Sequence, residues 1–266
     1  MKKKYGQCFD VSEKNNKYLK VSILRAKNKL PEMEVAKAYG DILKKYVKKN
    51  SRVLDAGCLA GHFYTTLKKR FEKKKIFYTG IDPWKHHIDA AKKIWSKEKN
   101  VNFKKCWLQK LPFKNNQFDI SICCNVLTHI PEIIKPIKEL LRTTKETIII
   151  RTPIHDKSYR IQLVLNSKWF KFTNIRPENE FDNKGNPRVF EYFDVHSKDY
   201  FSSVIKRNYK KCKITFIKDT FFNAKKINNK FEKSKKINST KIDRDGNQIT
   251  DLLIVPHYFV IIEKNI

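Results

Sequence analysis

The order of apolar runs and helix-patterned stretches between residues 52 and 152 restricts this chain to one fold class. RVLDA (52–56) is followed by HFYTTLKKRF, and IFYTGI by HHIDAAKKIWSK. VNFKKCW and FDISICC lead into EIIKPIKELLR, and ETIIIRT closes the series. Strands that alternate with helices pair in parallel, because each crossover returns the chain to the same end of the sheet. Runs such as residues 120–124 and 147–150 lack period-two polarity, as strands covered on both faces do. The expectation is an α/β chain with a doubly wound, mostly parallel, seven-stranded sheet and helices on both faces.

The flanks are read from their own patterns. Residues 1–50 predict an N-terminal helical extension, in which Val35, Ala38, Tyr39, Ile42, Leu43 and Tyr46 recur at spacings of three and four and pack on the domain edge. Residues 51–266 form the main domain. An insertion around 153–196, broken by Pro153, Pro177, Gly185 and Pro187, predicts a substrate-side segment with one helix over 158–169. A helix over 197–210, a strand over 213–218, a polar stretch over 223–250 and a strand over 252–263 close the chain.

The residues that carry chemistry cluster where strands end. In VLDAGCLAGHF (53–63) a buried strand ends in Asp55, passes through a turn with Gly57 and Gly61, and opens a helix at His62. Glycine supplies dihedrals and close backbone approach that other residues resist, and the new helix presents free N–H groups. Asp82, 27 positions after Asp55, ends the next strand, where a carboxylate accepts hydrogen bonds from two ribose hydroxyls. It also fits a helix cap. Cys124 and Asn125 end the fourth strand, the edge where open α/β sheets bind ligands; Asn125 equally suits a cap.

These segments resemble the Rossmann-like, class I S-adenosylmethionine-dependent methyltransferases. The resemblance runs from Arg52 to about Thr152 and includes the leucine–proline–phenylalanine turn (111–113) and Phe118–Asp119. Leu59 stands where that family has its middle glycine, and leucine resists the positive φ that glycine accepts. The resemblance implies S-adenosyl-L-methionine as cofactor, held by Asp55, Gly57, Cys58, Gly61, His62, Asp82, Trp84, Trp107, Leu108, Cys124 and Asn125. It implies that Asp55 meets the ammonium of the methionine end. Trp84 and Trp107 flank the adenosine or simply pack. For a hydroxyl acceptor, His129 is the candidate general base, or else a residue that shapes the pocket. The incomplete glycine spacing disfavours a dehydrogenase. A faint likeness of residues 148–154 and 191–201 to methyltransferases of surface-polysaccharide synthesis points to a glycan acceptor.

Composition bounds the partners. With 58 Lys and Arg against 27 Asp and Glu, the formal charge is +31. Such a charge admits RNA, and so an RNA-directed methyltransferase or RNA-binding module. Lysine nevertheless recurs in nearly every segment beside Asn, Ile, Phe and Tyr, all with AT-rich codons, so genome composition is the favoured cause and a small-molecule or glycan substrate the favoured partner. The six cysteines contain no C-x-x-C pair, so no metal is expected. No run suits a membrane helix and no apolar leader follows the basic start, so a cytoplasmic chain without membrane insertion is expected. The sequence leaves the oligomeric state open.

Overall fold

The structure, a computed structural model, describes residues 16–164, 183, 190–220, 241–242, 248–250 and 253–264. Helices α1 (Asn16–Ala26) and α2 (Glu34–Leu43) lead into β1 (Arg52–Ala56), α3 (His62–Phe71), β2 (Phe77–Asp82), α4 (Lys85–Ile94) and β3 (Val101–Lys105). Then come β4 (Phe118–Cys124), a 3-10 turn (Leu127–His129), α5 (Ile134–Thr143) and β5 (Thr144–His155). β6 (Tyr159–Val164), β7 (Phe190–Ser197), α6 (Lys198–Asn208) and β8 (Cys212–Lys218) follow. β9 (Lys241–Ile242), β10 (Gln248–Thr250), β11 (Leu253–Val255) and β12 (His257–Lys264) end the chain.

The main sheet runs β3-β2-β1-β4-β5-β12-β8. β1 to β5 are parallel, and β12 lies antiparallel between β5 and β8. The expected seven strands and mostly parallel pairing are therefore present. Alternate residues feed two cores, as strands buried on both faces require. Val53, Ile120, Ile122, Ile149 and Ile261 pack with α2 and α3, whereas Leu54, Cys123, Ile148, Ile150 and Ile262 pack with α5 and α6.

Three sequence expectations change. α2 is not an edge helix: Tyr39 is fully buried in the first core, and its hydroxyl donates to the Cys123 carbonyl (2.9 Å) and accepts from the Arg151 amide (3.0 Å). The helix expected over 158–169 is replaced, where the chain is described, by β6, which pairs antiparallel with β7 from Tyr159↔Val195 to Val164↔Phe190. Its β-branched and aromatic residues find a partner strand that sequence spacing does not reveal; residues 165–169 lie outside the described residues. The strand expected over 252–263 divides at Pro256, with β11 in a small sheet with β10 and β9, and β12 in the main one.

β5 extends past β4 and pairs with β7 at Ile154↔His196 and His155↔Ser197. This builds the β6–β7 pair beyond the carboxyl edge of the parallel strands. Among the described residues no helix is long and apolar enough to cross a membrane.

Candidate functional site

The turn after β1 is shaped by three left-handed residues: Gly57 (φ 85°), Leu59 (φ 51°) and Gly61 (φ 72°). A Cβ on Gly57 would lie 2.3 Å from Val126 Cγ2, so both its dihedrals and its surroundings require glycine. The amides of Gly57 and Cys58 both donate to the Ile81 carbonyl, at 2.8 and 3.0 Å, which moors the turn to β2. Leu59 adopts the left-handed conformation that its sequence position argued against. Its amide donates to Asp82 Oδ2 at 3.2 Å.

Asp82 is the centre of this edge. Its Oδ1 accepts from the Trp84 amide (3.1 Å) and from His87 Nδ1 (2.9 Å), and both side chains of the Asp82–His87 pair are buried. Asp82 is not the cap that the sequence also allowed: Trp84 is the N-cap of α4 and has no side-chain cap bond, and Asp82 instead holds the turn before the helix. Trp84 packs edge-to-face on Trp107, with ring centroids 5.8 Å apart. Leu108 is buried in the second core, and the Cys106 amide donates to the Asp82 carbonyl (3.1 Å).

Asp55, Cys58 and His62 are turned inward. Asp55 is buried, and its Oδ2 accepts from the Tyr78 hydroxyl. Burial pushes its carboxyl up to about 7; Tyr78 opposes this shift and the nearby Asp82 charge adds to it. This is not the open carboxylate expected for a ligand ammonium, because the strand's alternation points Asp55 beneath the turn. Cys58 is fully buried, and its Sγ packs on Gly80. His62 Nδ1 lies 3.0 Å from Ser22 Oγ of α1, and Ser22 Oγ also accepts from the Ala60 amide (3.1 Å). Burial, with the Arg25 charge, lowers the His62 ring to about 3, so it is neutral.

At the end of β4, Asn125 is left-handed (φ 55°) and its amide donates to the Arg151 carbonyl (2.8 Å). Its Oδ1 accepts from Arg151 Nη1 at 2.7 Å, and Arg151 is held by Asp219 through Nε (2.7 Å) and Nη2 (2.6 Å). This ion pair is buried. Burial raises the neighbouring Cys124 thiol to about 12, so it stays protonated. An arginine inside the apolar run IIIRT was a signal for this network; Tyr39, Ser22, Tyr78 and His87 carried none beyond their periodic positions.

The turn after Asn125 is fastened to β7. The Thr128 hydroxyl donates to the Asp194 carbonyl (2.9 Å), and His129 Nδ1 contacts the Tyr192 carbonyl (3.1 Å). A carbonyl only accepts, so Nδ1 carries the proton and Nε2 is the basic nitrogen of His129. Asp194 is fixed by Arg160, whose Nε lies 3.1 Å from both carboxylate oxygens. By contrast Asp119 lies at the opposite edge of the sheet, where it accepts from the Arg52 amide (2.8 Å).

The arrangement thus brings together Gly57, Leu59, Gly61, Asp82, Trp84, Trp107 and Asn125 around the carboxyl edge of β1, β2 and β4. Five cysteines are free and Cys8 lies outside the described residues. Among the described residues no group of three His, Cys, Asp or Glu side chains suits a metal ion.

A family model described as a methyltransferase domain matches residues 47–180, half of the chain. The chain is 30% identical over 140 residues to an uncharacterized methyltransferase of Schizosaccharomyces pombe, covering 47% of this chain and 50% of that protein. It spans half or less of the length of the curated relatives it matches. Two solved structures share the fold. Geranyl diphosphate C-methyltransferase from Streptomyces coelicolor, in complex with geranyl diphosphate and S-adenosyl-L-homocysteine, has a TM-score of 0.55 at 12% identity over 86% of this chain and 79% of that one. A SAM-dependent methyltransferase from Methanosarcina mazei has a TM-score of 0.51 at 17% identity over 84% and 96% of the two chains.

Proposed function

The chain belongs to the class I S-adenosylmethionine-dependent methyltransferase family, and on that premise we propose that it methylates an oxygen or nitrogen of a small-molecule or glycan acceptor. The observation that carries this reading is the meeting of the glycine-turn amide of Leu59 with the Asp82 carboxylate between β1 and β2.

The residues fit the cofactor. Two carboxylate oxygens offer about four acceptor sites, and the three contacts from Leu59, Trp84 and His87 leave Asp82 capacity for a ribose hydroxyl. Gly57, Leu59 and Gly61 bring backbone close to the methionine end, Trp84 and Trp107 flank the adenosine, and Asn125 lies under the reacting edge. When bound, S-adenosylmethionine supplies a methyl group activated by its sulfonium.

The chain's own task is to hold the acceptor against that edge and to exclude water. The β6–β7 pair forms the acceptor-side wall. Tyr159 on β6 and Tyr200 in the first turn of α6 are exposed, and His155 lies 5.4 Å from the Tyr159 ring, which suits packing against the face of a sugar or of an aromatic acceptor. His129 takes the proton of a hydroxyl acceptor on Nε2, with Nδ1 fixed by the Tyr192 carbonyl.

Calorimetric titration with S-adenosylhomocysteine tests the reading without an acceptor. Wild-type protein binds in the micromolar range and an Asp82→Ala variant does not. Absence of binding by folded wild-type protein overturns it.

A further inference from the structure

A small open cleft of about 70 Å³ lies between the end of α1, the following turn, the start of α2 and the outer side of α3. Of the residues assigned above to the cofactor, only His62 lines it.

The charged groups of this cleft do not balance. Arg25 Nε is buried without a hydrogen-bond partner, and among the described residues the guanidinium forms no ion pair. Burial lowers its pKa, with no acid acting against the shift. Lys69 adds a second cation. The cleft's carboxylate, Glu32, already accepts from the Thr66 hydroxyl at 2.5 Å. Ser22 Oγ accepts from the Ala60 amide and lies 3.0 Å from Nδ1 of the neutral His62 ring. Leu30 and Met33 complete the lining with apolar surface.

Arg25 is half-buried, with Nε shut off from water without an acceptor; leaving such a donor unpaired is costly, and an anion held in paired N–H bonds by the guanidinium offsets that cost. We propose that this cleft binds a small organic anion, a carboxylate or phosphate with a short apolar part, on Arg25 and Lys69, apart from the cofactor site. Arg25 and Ser22 share α1, and Ser22 holds the Ala60 amide of the glycine turn. An anion that fixes α1 in place therefore strengthens cofactor binding, and the cofactor strengthens anion binding by the same factor.

Thermal unfolding and calorimetry of the full chain test this, with sodium phosphate or sodium butyrate compared with sodium chloride at matched ionic strength, with and without S-adenosylhomocysteine. Phosphate, butyrate or both raise the Tm of the wild type above its value in chloride, and whichever acts identifies the head group. Arg25→Met weakens that binding by about tenfold or more, while in chloride it is no less stable than the wild type, since methionine keeps the packing and removes the unpaired charge. Equal Tm values in all three salts overturn the proposal, as does a shift that survives Arg25→Met. A shift abolished by saturating S-adenosylhomocysteine also overturns it, because the cleft is then part of the cofactor site. The site does not rest on the methyltransferase reading, whose own failure would appear as no S-adenosylhomocysteine binding at all.

Discussion

Leu59 donates its amide to Asp82 Oδ2 across 3.2 Å from a left-handed backbone, so the turn after β1 and the acid at the end of β2 form one unit. A leucine in that region costs roughly 1–2 kcal/mol, and the hydrogen bond offsets part of it. Leu59→Gly keeps the amide and relieves the strain; stability changes by no more than about 1 kcal/mol, because glycine also loosens the unfolded chain, and S-adenosylhomocysteine affinity is retained. Leu59→Val, whose branched side chain tolerates positive φ worst, loses both stability and affinity. Equal behaviour of the two variants in calorimetry would sink this account.

On the proposed reading, in which Asp82 holds the ribose, His87 acts on the cofactor through Asp82. Its Nδ1 holds Oδ1 at 2.9 Å inside a buried pair, which fixes the carboxylate plane. His87→Leu is expected to weaken S-adenosylhomocysteine binding about tenfold, the effect of losing one charge-assisted hydrogen bond, with circular dichroism unchanged. Undiminished affinity in the folded variant rules the role out.

Asp55 ties stability to pH. Its carboxyl is raised by burial from 3.8 to about 7, so the folded state binds this proton more tightly than the unfolded state. Its contribution to stability is therefore greatest in acid, falls as pH rises from about 4 through about 7, and is level beyond. Asp55→Asn keeps an acceptor for Tyr78 and removes the titration. The variant gains on the wild type across that window, by at most about 4 kcal/mol. Parallel pH profiles in urea unfolding would contradict this.

The Arg151–Asp219 pair is buried, so removing one partner strands the other. Arg151→Met is expected to cost about 3–5 kcal/mol, whereas Arg151→Met with Asp219→Leu recovers most of it. Denaturant midpoints of the two variants decide the matter. The single variant also frees Asn125 Oδ1 from its donor, so the double variant restores stability without restoring that contact.

The β1–α3 turn, the acids at the ends of β1 and β2, and the parallel order of the strands were legible in the sequence. They depend on local rules: apolar runs make buried strands, glycines mark turns, and strand–helix alternation makes crossovers. The same rules misplaced β6, since a short apolar stretch reads equally as helix or strand until its partner is known. They also treated Asp55 and His62 as open to a ligand, although one lies beneath the turn against Tyr78 and the other against Ser22.

The sequence by itself determined the fold class, the family and the strand ends at which the motif residues gather, because those follow from periodicity and from motifs within about thirty residues of one another. Tertiary structure alone decided that Asp82 meets the Leu59 amide while Asp55 is held by Tyr78, how Arg151 is neutralised by Asp219, and how Tyr39 reaches between β4 and β5. Each of these depends on groups far apart in the chain that share one buried, low-dielectric space. There an unpaired charge or donor is costly, and only the packed fold determines which partner satisfies it.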